Sequence, residues 1–450
     1  MPRTEALRDA LARMRPRHLE DLRRLISVPS VSAQGTGIDE AVEVVVDLLR
    51  ERGLTAEVHP TPGFPIVTAH GGAADAPTLL FYEHYDVQPP EPIDAWTSPP
   101  FELTERDGKL FGRGVADTKG HLVCRLAAID AAREIHGDDR IGYRFVVEGE
   151  EEIGSPNLDA FIEANADRLR ADGCIWEFGG VDHDGSPVIS LGLKGIVSLE
   201  LHATGPSYDA HSSLGAVIDN PLYRISAAIA SLRDQTGRVT VDGFYDDVVP
   251  LTDLERAVLE RSPDQAALIS SMYGVDGLLG STSGPDLVRR LEAAPCLNVN
   301  GIWGGYTGRG TKTVLPSRAG AKLDLRLVPD QHPDRVLGRL RDHLDARGFT
   351  DIEIVPLAAE APGRTPVDDP FVDLVLAAGR EAYGREPVVQ LSSPGSGPAH
   401  PFREFLKVPF ACVGCSYPGS RVHAPDEHIR LEDFELGKLH TALVVEALAP

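Results

Sequence analysis

Apolar runs along this chain end, again and again, in a histidine or a carboxylate. TLLFYEHYDV at 78–87 closes on His84 and Asp86. IGYRFVVEGEE at 141–151 runs into acidic residues, and CIWEFGG carries Glu177. Helical spacing separates these runs. DEAVEVVVDLLRERG at 39–53 stops at Gly53, and a helix from Asp117 to about Ile135 keeps Leu122, Leu126 and Ile129 on one face. PIVTAH at 65–70 adds another strand. Alternating strands and helices predict a largely parallel α/β sheet, and such sheets place chemistry just past the carboxyl ends of their strands. The acidic clusters fall there.

From about residue 197 the pattern changes. VSLELHAT and AKLDLRLVP alternate like half-exposed strands, with helices at 220–236 and 334–348 and a further strand in DIEIVP. These units predict a separate α+β domain with one open sheet face, and the mostly helical stretch 237–300 reads as an insertion within it. The Pro- and Gly-containing linker AAEAPGRTPVDDP then returns the chain to α/β patterning: helix 370–383, strands 387–391 and 408–413, helix 431–448. The expected layout is a discontinuous catalytic domain, 1–195 and 361–450, interrupted by a lid at 196–360.

Composition removes several function classes. A formal net charge of −24 over 450 residues opposes binding to nucleic acid or to an anionic membrane surface. No stretch approaches the roughly 20 apolar residues of a membrane span, and the charged N-terminus lacks the apolar core of a signal peptide. Five scattered cysteines, an odd number, suit a reducing compartment. The expectation is a cytoplasmic protein.

Five places put His or carboxylate at strand ends: His84 and Asp86 in EHYDVQP, Asp117 in GRGVADTKG, Glu151 and Glu152 in EGEEEIGS, Glu177 in CIWEFGG, and His423 in RVHAPDEH. Imidazole and carboxylate are the donors Zn²⁺ accepts, and catalytic sites leave a position open for water. His84, Asp117, Glu152, Glu177 and His423 supply ligands for two ions if Asp117 serves both. Strand side chains repeat every two residues, so Asp86 can hold the His84 ring nitrogen that faces away from the metal. Of the adjacent Glu151 and Glu152, one can coordinate while its neighbour faces the bound water as a general base. Alone, each feature is more often a surface pair or a solvated acidic run. Jointly they point to metal chemistry.

HYDVQP, GRGVADTKG, EGEEEIGS and HAPDE, in this order, resemble the zinc exopeptidase family of carnosine-type dipeptidases, glutamate carboxypeptidases, acetylornithine deacetylases, succinyl-diaminopimelate desuccinylases and aminoacylases. The resemblance spans nearly the whole chain and is nearest to the dipeptidase branch. It implies an α/β zinc-peptidase-like catalytic domain with an inserted α+β (ferredoxin-like) lid and dimerisation domain. It also implies that His84 and Glu177 hold one ion, Glu152 and His423 the other, with Asp117 bridging, Asp86 orienting His84 and Glu151 as base. The peptide bond after Asp117 is often cis in such enzymes. YDAHSS places His211 where the family has a histidine reaching the partner subunit's active site, which implies a homodimer. KTVLP, LDLRLVP and PGSGP put Thr313, Arg326 and Ser396 at substrate-binding positions. This chain departs from the family pattern at Glu83, where Gly usually precedes the histidine, and at Ser213.

The implied activity is two-metal hydrolysis of dipeptides or short peptides with a free C-terminus. The alternative is deacylation or desuccinylation of N-acyl amino acids. Zn²⁺ is the expected metal, although Mn²⁺ and Co²⁺ accept the same donors. GYTGRGTKT lacks the phosphate-loop Lys, GCSYPG is one residue too long for a nucleophile elbow, and Cys412-Val-Gly-Cys415 is a single pair on an apolar strand.

Overall fold

The apolar run at 78–84 forms the strand Thr78–His84 in the middle of a nine-stranded sheet. The computed structural model describes residues 3–450. It contains two compact units. One takes the chain as far as Gly192 with Arg364–Leu391 and Pro398–Pro450, and the other takes Leu193–Gly363 and Ser392–Gly397.

In the first unit the sheet runs, in spatial order, Thr55–His59, Ile66–Gly72, Gly142–Glu148, Thr78–His84, Gly173–Trp176, Phe410–Cys412, Pro187–Ser190 and Val388–Gln390, with the short Gly180–Val181 beside Pro187–Ser190. It is parallel through its centre, from Gly142–Glu148 to Phe410–Cys412. Antiparallel pairing enters on both sides, so the sheet is mixed rather than largely parallel. The central strands are buried on both faces, which is why they read as continuous apolar runs. Helices Lys119–His136, Leu431–Leu448, Arg3–Ile26 and Pro370–Tyr383 pack together in this unit. Lys119–His136 is buried without a break from Lys119 to Ala132. Its Lys119 ammonium is placed against the end of the first helix, donating to the Leu25 and Val28 carbonyls at 2.9 Å each, where free carbonyls favour a cation.

In the second unit, strands Cys296–Gly304, Arg318–Leu327, Gly192–Thr204 and Glu353–Glu360 form an antiparallel sheet in that order. Alternate residues Val197, Leu199, Leu201 and Ala203 point into one core with Leu323, Leu325 and Leu327. Ile225, Ala228 and Leu232 of helix Pro221–Leu232 meet them there, as do Val336, Leu340 and Leu344 of Pro333–Ala346. Period-two strands and a period-3.6 helical face thus close one side of the sheet. The inserted stretch holds helices Asp253–Arg261, Ala266–Tyr273 and Gly284–Ala293. The protein is α/β with an α+β insertion, and no helix among the described residues is long and apolar enough to cross a membrane.

Candidate metal centre

The residues of the candidate centre stand in or beside the loops that leave the regular elements of the first unit. His84 ends its strand, Glu177 follows Gly173–Trp176, and Asp117 precedes helix Lys119–His136. Glu151 and Glu152 were expected on a strand end. The strand stops at Glu148, and they occupy the 3-10 turn Glu151–Ile153. Gly149 makes this exit possible, because a Cβ there would stand 2.2 Å from the Tyr85 ring. His423 lies in a loop where Arg421, His423 and Asp426 all take left-handed backbone, φ 56°, 61° and 59°. Such residues cost of order 1–3 kcal/mol each and persist where the surroundings over-determine them.

The loops converge. Two groups of donor atoms come together, His84 with Glu151 and Glu177, and Asp117 with Glu152 and His423. The Asp117 carboxylate joins them: Oδ1 is 3.2 Å from His84 Nε2 and Oδ2 is 3.0 Å from His423 Nε2. Glu177 Oε2 lies 3.0 Å from His84 Nε2, and Glu152 Oε2 lies 3.1 Å from His423 Nε2. Ligand atoms around one tetrahedral zinc stand roughly 3.3 Å apart, so each half has the spacing of a coordination sphere. Glu151 Oε2 is 4.0 Å from His84 Nε2.

The residues around these donors fix their orientation. His84 Nδ1 lies 2.9 Å from the Asp86 carbonyl, with the Asp86 carboxylate at 3.3 Å. The hydrogen bond expected from the Asp86 side chain is thus made by its backbone oxygen, and Asp86 Oδ1 has no well-directed hydrogen bond. Asp86 Oδ2 instead accepts from the Glu152 N–H at 3.1 Å. Gln88, overlooked in the sequence although it lies in HYDVQP, donates from Nε2 to Glu152 Oε2 at 3.0 Å. The Asp117–Thr118 peptide is cis. Glu83 is fully buried and accepts from Arg125 Nε at 2.8 Å, so its departure from Gly comes with a cation to match it. Burial raises the Glu83 carboxyl to about 7 against that pairing.

Four carboxylates in one pocket repel one another. Burial, and then the Glu177 charge, push Glu151 well above the ordinary carboxylate range. Burial likewise raises Glu177 to about 7. The two histidines are biased the other way. Burial opposes charge on His84, but Glu177, Asp117 and Asp86 overturn it and raise its pKa well above 6.5. Hydrogen bonds from the His423 ring to the Asp117 and Glu152 carboxylates raise His423 to about 10. Glu177 Oε2 is buried and makes no well-directed hydrogen bond. An orphaned oxygen among excess negative charge is what a divalent cation resolves, so the residues fit metal ions.

The other expected site residues lie in the second unit and form two pairs. His211 is exposed, its Nδ1 is 2.8 Å from Ser213 Oγ, and its Nε2 is 3.4 Å from Thr313 Oγ1. Arg326 Nη1 donates to Ser396 Oγ at 2.8 Å.

An α/β sheet carrying converging imidazoles and carboxylates past its strand ends has the donor set of a metal-dependent enzyme. Residues 80–446 match the family described as Peptidase family M20/M25/M40. The chain belongs to this family and is a metallopeptidase. It is 36% identical to an M20 family metallo-carboxypeptidase, Sso-CP2 of Sulfolobus solfataricus, whose crystal structure superposes with a TM-score of 0.90 over 96% of this chain and 99% of that one. Beta-Ala-His dipeptidase of Homo sapiens is 28% identical over 96% of this chain and 86% of its own length. Cysteinylglycine-S-conjugate dipeptidase of Corynebacterium striatum is 30% identical over 94% and 93%.

Proposed function

We propose that this metallopeptidase is a two-metal dipeptidase, hydrolysing dipeptides or short peptides that carry a free C-terminal carboxylate. The observation that carries the reading is Asp117, whose two oxygens face two histidines that each have a further carboxylate beside them. His84 and Glu177 would hold one ion, Glu152 and His423 the other, and Asp117 both. The donors suit Zn²⁺, with Mn²⁺ or Co²⁺ as substitutes. Bound there, two divalent ions lower the pKa of water toward neutrality.

Glu151 takes the proton of the attacking water on its carboxylate and passes it to the leaving amine. Its placement 4.0 Å from His84 Nε2, further than Asp117 or Glu177, supports a base rather than a ligand. Arg326 suits a planar, bidentate grip on the substrate's C-terminal carboxylate, with Ser396 and Thr313 beside the substrate. The unit at 196–360 would serve as lid and dimerisation domain, His211 acting on the partner subunit's substrate. Five free cysteines support a cytoplasmic location. The names of relatives, Beta-Ala-His dipeptidase and Cysteinylglycine-S-conjugate dipeptidase among them, support dipeptides over N-acyl amino acids.

The test is metal-stripped protein reconstituted with each ion in turn and offered a dipeptide library beside a panel of N-acyl amino acids. Turnover of dipeptides, dependent on two equivalents of metal, is the expected result. Preference for N-acyl substrates, or full activity with one equivalent, would overturn it.

A further inference from the structure

Away from the metal centre, the edge of the nine-stranded sheet carries a small cleft lined by His59, Thr68, Ala69, His70, Arg144, Asn165, Arg168 and Leu169. Two arginines and two histidines meet there with no acidic residue in the lining, on a chain of net charge −24. Strand register sets them together: His70 lies directly opposite Arg144, and Thr68 lies opposite Glu57 on its other side. Alternation puts Thr68, His70 and Arg144 on one face of the sheet.

Arg144 is the unmatched cation of the cleft. Its Nε is sealed from solvent and reaches no acceptor, and Arg144 has no ion pair among the described residues. Arg168, by contrast, is anchored, donating from Nη2 to both Glu57 oxygens at 2.9 and 2.8 Å. That leaves the rest of its fork without a carboxylate. His59 Nε2 sits 2.8 Å from Thr68 Oγ1, and its ring is 5.2 Å from the Phe161 ring, so the imidazole is held in place before any ligand arrives. Arg144 is half-buried, and its sealed, unpartnered Nε is a donor left unmatched by the protein, while planar guanidinium forks match tetrahedral oxyanions bidentately. The cavity volume is about 20 Å³, space for about one water-sized group, so an oxyanion would seat one oxygen there and leave the rest at the mouth.

We propose that this cleft is a binding site for a phosphate-type oxyanion, with Arg144 as its principal ligand and Arg168, His59 and His70 around it. The ion comes either free or as the phosphoryl end of a small phosphomonoester whose remainder projects to solvent.

The test uses metal-loaded enzyme, titrated with inorganic phosphate at constant ionic strength and followed by ³¹P NMR and calorimetry. A parallel titration uses methyl phosphate. Phosphate also has access to the metal centre, so the informative contrast is between wild type and Arg144→Met, whose metal ligands are unaltered. Wild type is expected to show a saturable phosphate site that Arg144→Met lacks, with peptidase activity in phosphate-free buffer unchanged. Should Arg144→Met fold poorly, the rim variant His70→Gln/Arg168→Gln is expected to weaken the same site about ten-fold or more, the value of charged hydrogen bonds. Methyl phosphate binding as tightly as the inorganic ion would assign the site to phosphomonoesters, and binding of the inorganic ion alone would assign it to free phosphate. Identical phosphate responses in wild type and variants, or no response in either, would overturn the proposal and leave water in the cleft.

Discussion

Glu427 fixes the main chain of Asp117 from the opposite end of the sequence. The Asp117 and Ala116 N–H groups donate to Glu427 Oε1 at 3.2 and 2.9 Å. Gly114 N–H and Arg113 Nη1 donate to Oε2 at 2.9 and 2.7 Å. A fully buried carboxylate thus shapes the loop that presents the bridging residue. Glu427→Gln replaces one acceptor by a donor facing donors. Loss of such support costs metal affinity roughly 10–100-fold, and competition with a chelator should show that loss. A lower melting temperature with unchanged metal affinity would reduce Glu427 to a folding role.

Glu427 was in plain view in HAPDEH, yet nothing local marks it as more than an acid beside the candidate ligand. The reason is general to this chain. His84 and Glu177 stand out in the sequence because each follows an apolar run, whereas Asp117 and His423 stand out through the motifs GRGVADTKG and HAPDE that carry the family resemblance. Gln88 and Glu427 act through contacts made across 64 and 310 or more positions of sequence, which no window along the chain contains. The same applies to Arg125, whose partner Glu83 stood out as a departure while the arginine lay inside an apolar helix. The long first helix, Arg3–Ile26, escaped for a different reason. Its arginines and acids cover the outer surface, and only Leu7, Leu11, Leu22, Leu25 and Ile26 with a few others face inward. The antiparallel flanks of the main sheet were hidden because strand direction leaves no trace in an apolar pattern.

Arg326 gives a prediction in substrate terms. Its guanidinium is about one-third exposed and is held by Ser396 Oγ, so it keeps donors for a carboxylate. Arg326→Lys retains charge but loses the fork. KM for dipeptides should rise about ten-fold or more with little change in kcat, the pattern of lost uniform binding. Dipeptide amides, lacking the carboxylate, should be insensitive. An equal loss for both substrates would make Arg326 a structural strand residue.

Acid stability should depend on Asp130. It lies 2.8 Å from Arg52, 3.4 Å from His18 and 3.5 Å from Arg17. Burial raises its pKa, but His18, then Arg52 and Arg17, outweigh burial and hold it below 3.8. A carboxyl lowered in the folded state contributes stability that is complete above its unfolded pKa of about 3.9. That contribution is lost as pH falls through the lower folded value. Asp130→Asn should therefore cost about 3 kcal/mol at neutral pH, as broken buried pairs do. It should also flatten the decline of stability below pH 4. Chemical denaturation across pH would register both, and an unaltered acid limb would exclude Asp130 as its source.

The dimer model makes its own demand on two residues that carry different halves of the chemistry. Glu151→Gln keeps the shape and the neighbouring ligands but cannot accept a proton, so metal content should hold while kcat falls roughly 10²–10⁴-fold. His211→Ala should lose a donor worth roughly 3 kcal/mol, about a hundred-fold in rate. If each active site combines Glu151 of one subunit with the partner's histidine, a mixed dimer has one site with both groups intact and one with neither. Unfolding, mixing and refolding the two variants in equal amounts should form mixed dimers as about half of the population. Activity should recover to about one quarter of wild type. Each variant refolded alone should stay inactive. Recovery absent from a mixture proved to contain mixed dimers would place His211 in the same subunit as the site it serves, or outside catalysis.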